Sequence, residues 1–164
     1  MNKYEVIFES ENIVFVKLSI DLMEDYLIMK NDSEVANKLS HIPQKITYEE
    51  YKKRVEDKLK KGTISFSMID KNTGEFIGNI EIMSIKDNIG EIGITITPNK
   101  QNKHYGRESL KAIMEYGYQN LDLTGYELNV FSTNKRAIKC YKNVGFIVDG
   151  IGKSEDDIHM KISR

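Results

Sequence analysis

The stretch GEIGITITPNKQNKHYGR, residues 90–107, decides the fold of this chain. Its first half alternates apolar residues with small or polar ones, which predicts a strand that ends at Pro98. Apolar residues then recur at helical spacing, which predicts a helix that starts near Tyr105 or Gly106. The apolar residues of the strand are Ile92, Ile94 and Ile96, and those of the helix are Leu110, Ile113, Met114, Gly117 and Leu121.

The junction between this strand and this helix is a candidate phosphate-binding turn. The first N–H groups of a helix have no internal acceptor, and the helix dipole places partial positive charge there. Such an end binds phosphate readily when a small residue, here Gly106, lets the ligand approach the backbone. Any strand–loop–helix unit with a glycine has this pattern, so the pattern alone does not identify the ligand.

The rest of the chain alternates between the two periods in an order that predicts a mixed-sheet α/β domain. Residues 12–19 have the pattern of a mostly buried strand, and helical spacing follows between residues 22 and 39. Thr47 and Glu50 predict a capping box at the start of a charged helix. Short strands joined by tight turns then predict an antiparallel meander. The predicted strands are 64–68, 76–82, 92–96, 126–131, 146–148 and 157–162, with a further helix at 134–143.

Length and composition favour one globular domain, residues 1–164, in the cytoplasm. The net charge of -1 gives no electrostatic reason to expect a nucleic acid or an anionic membrane as partner. Cys140 is the only cysteine, which excludes an internal disulfide and suits a reducing compartment. No apolar run resembles a signal peptide or reaches the length of a membrane span. The histidines are far apart, and nothing has the spacing of metal ligands.

Two motifs resemble those of the GNAT superfamily of acetyl-CoA-dependent N-acetyltransferases. Residues 101–106, QNKHYG, resemble its Q/R-x-x-G-x-G/A pyrophosphate loop, and residues 91–98 resemble its fourth strand. Residues 134–146, NKRAIKCYKNVGF, resemble its N-x-x-(S/A)-x-x-x-Y-x-x-x-G-F signature. Residues 32–36 and 74–78 also fit the branch of ribosomal-protein N-terminal and spermidine acetyltransferases. The resemblance covers about residues 11–162 and implies a mixed, mainly antiparallel central sheet flanked by about four helices.

The resemblance also implies a binding site for acetyl-CoA. Backbone amides of the loop would hold the pyrophosphate, and the end of the preceding strand would pair with the pantetheine arm. Asn134 would bind near the thioester, and Tyr141 would face the sulfur. The implied cofactor-binding residues are Ile94, Thr95, Ile96, Gln101, Asn102, Lys103, His104, Tyr105, Gly106, Arg107, Asn134 and Tyr141.

The loop departs from the family pattern at two positions. His104 and Asn102 stand where the family usually has glycines. A Cβ there would crowd the phosphate or resist a positive φ, but Asn and His are among the residues that tolerate positive φ best. We therefore expect the loop to keep its shape, and we expect His104 to have no catalytic role.

Acetyl transfer to an amine needs a base for the amine and an acid for the leaving thiolate. Tyr141 is the candidate acid, because a phenol can protonate a thiolate. The alternative is that Tyr141 only packs against the neighbouring residues of its helix. Glu91 is the first candidate for the base and Glu81 the second. The alternative for each is that it is only a solvated residue of the sheet with no catalytic role. Cys140 is expected to be a packed thiol rather than a covalent acetyl carrier. Three lysines, at 135, 139 and 142, meet either the cofactor's 3′-phosphate or solvent.

These features favour an enzyme that acetylates a primary amine by direct attack in a ternary complex. The acceptor, a protein N-terminus or a small-molecule amine, is expected against the early helices and the loop 37–45. Because that loop carries no acidic cluster, a strongly cationic acceptor is not favoured. The alternative is a degenerate module that binds acyl-CoA without turnover, and its support is the substituted loop. The sequence does not decide between a monomer and a homodimer.

Overall fold

The computed structural model describes residues 3–40 and 43–164, and an eight-stranded sheet forms its frame. The strands are β1 (Val6–Glu9), β2 (Ile13–Lys17), β3 (Ile64–Asp70), β4 (Phe76–Lys86), β5 (Ile89–Ile96), β6 (Gly125–Phe131), β7 (Ile147–Ile151) and β8 (Asp157–Ser163). Their order in the sheet is β1-β2-β3-β4-β5-β6-β8-β7.

The sheet is mixed and mainly antiparallel, as predicted. β5 and β6 pair in parallel through Ile89–Gly125, Gly90–Tyr126 and Glu91–Glu127. The pairs β1–β2, β2–β3, β6–β8 and β7–β8 are antiparallel. A parallel pair needs a crossover, and the helix between β5 and β6 supplies it.

Five α-helices lie in the described ranges, one more than the approximate number expected: α1 (Met23–Asn31), α2 (Ser33–Leu39), α3 (Tyr48–Lys61), α4 (Tyr105–Asn120) and α5 (Lys135–Val144). The first two are separate because Asp32 is extended and its carboxylate accepts from the N–H groups of Glu34 and Val35, which caps α2. The predicted capping box of α3 is half right. Thr47 accepts from the N–H of Glu50, but in the described chain Glu50 does not bond back.

The described residues fold into two compact units. The first comprises the described residues up to Glu81 together with Ile94–Tyr105. Its core lies between α1, α2 and α3 and strands β2 to β4, and Tyr26 at its centre shares a hydrogen bond with Ser67 across 2.5 Å. The core residues are Val14, Val16, Leu18, Leu22, Met23, Tyr26, Met29, Val35, Tyr51, Val55, Ile69 and Phe76.

The second unit comprises Ile82–Gly93 and Gly106–Arg164. Most of the face of α4 predicted from sequence is buried there: Leu110, Ile113, Met114 and Gly117 are inaccessible to solvent or nearly so, whereas Leu121 lies beyond the end of the helix and is only partly buried. Tyr126 of β6 donates a hydrogen bond to the Met114 carbonyl at 2.6 Å. A Cβ at Gly117 would lie 2.0 Å from that hydroxyl, so glycine lets the tyrosine reach the helix backbone.

Two edge elements differ from the sequence prediction. Val6–Glu9 forms β1, which was not predicted. The strand predicted at 146–148 extends as Ile147–Ile151, with a register irregularity before Ile151 and a φ of 101° at Gly150. Both strands are short and mostly exposed, so their residues do not alternate between a buried and a polar face.

Candidate active site

The segment that follows β5 is fastened to its surroundings in the first unit. Lys100 is buried, and its Nζ lies 2.9 Å from Oε1 of Glu75 in the turn before β4. Gln101 donates from Nε2 to the carbonyl of Ile96 at 3.0 Å. These contacts hold the start of the predicted phosphate loop against the strand it leaves.

A second contact holds the other end of the loop. Tyr105 donates a short hydrogen bond from its hydroxyl to Oδ2 of Asp70, at the end of β3. The other carboxylate oxygen of Asp70 accepts from the N–H groups of Asn72 and Thr73, at 2.8 and 2.9 Å. These hydrogen bonds, with that from Tyr105 the largest cause, lower the pKa of Asp70. Asp70 is therefore ionised at neutral pH and ties the β3–β4 turn to the first residue of α4.

Two loop residues adopt the left-handed backbone conformation. The φ angles are 61° at Asn102 and 68° at His104. These are the two positions where the sequence departs from the family's glycines, and Asn and His are enriched among the non-glycine residues that adopt such angles. The prediction that both residues tolerate a positive φ is confirmed. Their side chains are exposed.

The loop and the first turn of α4 present free backbone donors. In the first unit, the N–H groups of Asn102 and His104 bond to no described residue. In the second unit, the same holds for Gly106 and Arg107 within the described chain. Helix α4 begins at Tyr105, as predicted. N–H groups of this kind at a helix start can donate to phosphate oxygens.

The second signature motif builds α5 in the second unit. Asn134 caps this helix by accepting at 3.4 Å from the N–H of Ala137. Tyr141 is half-buried and packs edge-on against the buried ring of Phe146, with ring centroids 6.0 Å apart. Burial, with a smaller contribution from Cys140, raises the pKa of Tyr141 above the ordinary phenol value. The phenol therefore keeps its proton at neutral pH, as a proton donor must.

Cys140 lies on the side of α5 that approaches the start of α4. A Cβ built on Gly106 would lie 3.4 Å from its Sγ. Burial raises the pKa of Cys140, and the nearby charge of Arg107 opposes this only in part. A protonated thiol is a poor nucleophile, so the environment favours the packed role expected from sequence.

The two candidate bases have different partners. Glu91 lies in the second unit, its side chain is 12% exposed, and Oε2 is 3.2 Å from Nζ of Lys153, a side chain that is 69% exposed. Glu81 lies in the first unit, where its Oε2 is 2.7 Å from Lys58 Nζ and accepts from Ser65 Oγ at 3.0 Å. Glu81 is therefore held by two donors, whereas Glu91 is paired with one exposed surface side chain.

The predicted site residues are divided between the two units. The first unit holds Ile94, Thr95, Ile96, Gln101, Asn102, Lys103, His104 and Tyr105, and the second holds Glu91, Gly106, Arg107, Asn134 and Tyr141. The lysines of α5 proposed to meet a phosphate or solvent are largely exposed. Of the predicted acceptor loop 37–45, His41 and Ile42 lie outside the described residues. The described residues include no group of three or more His, Cys, Asp or Glu side chains that could hold a metal.

Sequence reasoning missed the side chains that fasten the loop. Asp70 and Tyr105 are 35 residues apart, and Glu75 and Lys100 are 25 apart, so no local spacing relates them. The only local signal was that Asp70 stands two residues before an Asn-Thr-Gly turn, where an aspartate that accepts from N–H groups two or three residues further on is common.

The mixed sheet, the loop and the capped helix of the second motif define an α/β domain in which N–H groups at a helix start are available to an anion. A family model described as an acetyltransferase (GNAT) domain matches residues 12–147. The chain belongs to this family. Acetyl-CoA is the acetyl donor of GNAT acetyltransferases, as the resemblance implied.

Individual proteins resemble this chain over part of its length or at low sequence identity. Over 79 residues the chain is 34% identical to spermidine N(1)-acetyltransferase of Escherichia coli (strain K12), a match that covers 47% of this chain and 42% of that enzyme. The chain thus spans less than half the length of this curated relative in the match. A GNAT acetyltransferase of Bacillus anthracis superposes with a TM-score of 0.83 at 19% identity, covering 94% of this chain and 96% of the other. Spermidine N-acetyltransferase of Vibrio cholerae, solved with CoA and spermine, superposes with a TM-score of 0.81 at 18% identity and the same coverage. At these identities the two structures establish the fold.

In residues 3–40 and 43–164, no helix combines the length and the apolar character that crossing a bilayer requires.

Proposed function

We propose that this chain is an N-acetyltransferase that moves an acetyl group from acetyl-CoA to a primary amine by direct attack in a ternary complex. The observation that carries the proposal is a loop that resembles the family's pyrophosphate motif, has N–H groups with no partner among the described residues, and has left-handed residues at both departures from glycine. Helix starts with unsatisfied donors favour a diphosphate.

The chain's own residues have distinct roles in this proposal. N–H groups between Asn102 and Arg107 donate to the diphosphate, and the backbone of 94–96 binds the pantetheine arm. Acetyl-CoA would supply a thioester carbonyl open to attack and a thiolate leaving group. Glu91 accepts the proton of the acceptor's ammonium, because an amine with a pKa near 10 is mostly charged at neutral pH. Tyr141 holds the proton that the leaving sulfur takes up.

Direct attack is favoured over a covalent carrier by the environment of the only cysteine. Cys140 is partly buried, burial raises the pKa of its thiol, and no histidine of the described residues affects that pKa. A carrier cysteine would need a lowered pKa or an adjacent base.

The experiment that tests the proposal replaces Tyr141 by phenylalanine. We expect kcat with a panel of primary amines to fall by about 100-fold or more, because one proton donor contributes about that much. The dissociation constant of acetyl-CoA should change by less than about twofold, because the ring is retained. The control is Tyr48→Phe, at an exposed position of α3. An unchanged kcat in Tyr141→Phe would remove this residue from the mechanism.

The alternative, an acyl-CoA-binding module without turnover, makes a different prediction. Wild-type protein would bind acetyl-CoA, yet no amine in the panel would be acetylated and the thioester would not be slowly hydrolysed. The alternative rested on a loop distorted by Asn102 and His104. Since both residues adopt the positive φ that the loop needs, the backbone argument for it is weakened.

Both compact units form one acetyltransferase domain, because the chain passes between them within β4, within β5 and after Tyr105. A cytoplasmic location fits the single cysteine. A homodimer, if formed, would use the edge strand β7, where Ile147, Val148 and Ile151 are exposed, and sedimentation analysis distinguishes it from a monomer.

A further inference from the structure

Lys153 places an amine of the chain itself at the proposed base. Its Nζ lies 3.2 Å from Oε2 of Glu91, within the second unit. The side chain of Glu91 is 12% exposed, whereas that of Lys153 is 69% exposed. The ammonium therefore reaches a largely buried carboxylate while most of the lysine side chain stays in solvent. The proposed function needs the same arrangement of an external acceptor, whose ammonium must reach Glu91 before it can lose a proton.

Glu91 lies on the face of the sheet opposite α4. Gly90, the residue before it, is buried, and a Cβ built there would lie 3.7 Å from the ring of Tyr126. Tyr126 lies against α4, to which its hydroxyl donates. Since side chains alternate along a strand, Glu91 faces the other way, as does Glu127, its partner in the β5–β6 register. Lys153 meets Glu91 on this face, which α4 leaves uncovered.

The connection between β7 and β8 fixes the position of Lys153. The N–H of Gly152 donates to the carbonyl of Asp157 at 2.8 Å. A Cβ built on Gly152 would lie 2.7 Å from Oδ1 of Asn129, so glycine lets this connection approach β6 closely. Lys153 follows directly and therefore starts beside β6, one strand away from Glu91 in β5. An anchored backbone thus holds this lysine within reach of Glu91.

We propose that Lys153 is a self-acetylation site, at which the chain acetylates its own lysine when acetyl-CoA is bound. This inference rests on the proposed function, since it uses the same base and the same acid. Glu91 takes one proton from the ammonium of Lys153, and the freed nitrogen attacks the thioester carbonyl carbon. The N–C bond forms and the C–S bond breaks. The nitrogen loses a second proton, which replaces the one that the leaving sulfur takes from Tyr141.

Two other lysine–carboxylate pairs provide the comparison. Lys161 of β8 also pairs with a carboxylate of the second unit, at 3.4 Å, and its side chain is 53% exposed. Its partner is not a proposed base, so Lys161 reports the background rate of an exposed, ion-paired lysine. Lys58 lies 2.7 Å from Glu81, the second candidate base, in the first unit. Acetylation at Lys153 rather than at Lys58 is therefore expected if Glu91 is the base.

Mass spectrometry of the protein incubated with acetyl-CoA and no other amine tests the proposal. We expect Lys153 to be acetylated at least about tenfold faster than Lys161, because an amine held beside its base needs no further orientation. The rate constant should not depend on protein concentration, since the reaction is intramolecular. Tyr141→Phe should reduce the Lys153 rate to the background, because the proton donor is lost.

Lys161→Arg is the matched control and should leave the rate at Lys153 unchanged. Equal rates at Lys153 and Lys161 would overturn the inference. Faster acetylation at Lys58 would also overturn it, as would a rate constant that rises in proportion to protein concentration.

Trace labelling with acetic anhydride tests the contact itself, without acetyl-CoA or turnover. An ion pair stabilises the ammonium, which is the unreactive form, so Glu91→Gln should raise the labelling of Lys153 by about two- to fivefold and leave Lys161 unchanged. Unchanged labelling of Lys153 would refute the site whatever the activity. Acetylation of external amines with none at Lys153 would overturn this inference alone. If neither external amines nor Lys153 are acetylated, the proposed function fails as well.

Discussion

Removal of the Tyr105 hydroxyl should loosen the phosphate loop without disturbing its ring packing. The change Tyr105→Phe deletes the short hydrogen bond to Asp70. A hydrogen bond to a charged group contributes about 1.5–3 kcal/mol. Asp70 keeps the N–H groups of Asn72 and Thr73, so we expect the lower end of this range. A loss of about 1.5 kcal/mol lowers the melting temperature of a chain this size by roughly 3–6 °C.

The pH dependence of this loss has a definite sign. The lowered pKa of Asp70 means that its contribution to stability is present above the unfolded value, about 3.9, and is lost as the pH falls through the folded pKa. Tyr105 is the largest cause of that lowering. The difference in free energy of unfolding between wild type and Tyr105→Phe should therefore be largest near pH 7 and shrink toward pH 3.

Urea unfolding at several pH values and calorimetry with acetyl-CoA measure the two consequences. We expect the dissociation constant of acetyl-CoA to rise between about two- and tenfold, because part of the lost stability is loop order that binding must restore. Tyr48→Phe, exposed on α3, is the control and should change neither quantity. A stability loss with unchanged acetyl-CoA affinity would mean that the contact serves folding alone. A pH-independent stability difference would refute the role of the ionised carboxylate.

The remaining predictions concern the loop, the base and the tyrosines. His104→Gly should preserve or tighten acetyl-CoA binding, since glycine adopts the φ of 68° freely. His104→Ala should lower the free energy of unfolding by about 1 kcal/mol, because alanine resists that φ. Loss of acetyl-CoA binding in the glycine variant alone would show that the imidazole makes an essential contact. Glu91→Gln should lower kcat by about 100-fold and Glu81→Gln by much less, in steady-state assays with a primary amine, and the reverse order would exchange their roles. Burial raises the pKa of five of the nine tyrosines, that of Tyr51 to about 12. Absorbance at 295 nm should therefore report fewer phenolates in folded than in urea-unfolded protein near pH 11, and the free energy of unfolding should fall as the pH rises above about 10. Identical titrations of the folded and unfolded protein would contradict the burial of Tyr26, Tyr51, Tyr118, Tyr126 and Tyr141.

Elements with a regular period and a buried face could be predicted from the sequence. α4 was found because its apolar residues recur at helical spacing, and those from Leu110 to Gly117 are buried where that spacing placed them. β2 was found because it is almost entirely apolar, and Ile13 to Val16 are all buried. β1 was missed because three of its four residues are exposed, and an edge strand with little burial has no periodic signal.

The candidate site could be predicted only as far as its chemistry is local in sequence. The loop and the second signature motif are each contiguous, so their residues could be named in advance. The contacts that fix the loop join Asp70 with Tyr105 and Glu75 with Lys100, which are 35 and 25 residues apart in sequence. These side chains come together through tertiary packing, so no local spacing predicts them.

The loop shows how a binding turn can depart from its family's glycines and keep its geometry. A non-glycine residue in the left-handed region costs up to about 1–2 kcal/mol, somewhat less for Asn or His, and such a conformation persists where the surroundings determine it. Contacts on both sides do so here: Lys100 with Glu75 before the two left-handed residues, and Tyr105 with Asp70 after them. With both ends fixed, the intervening N–H groups are held ready for an anion at little further entropic cost. We infer that the order of this loop depends on the β3–β4 turn as much as on the residues of the loop itself, and for this reason the Tyr105–Asp70 hydrogen bond should affect acetyl-CoA affinity.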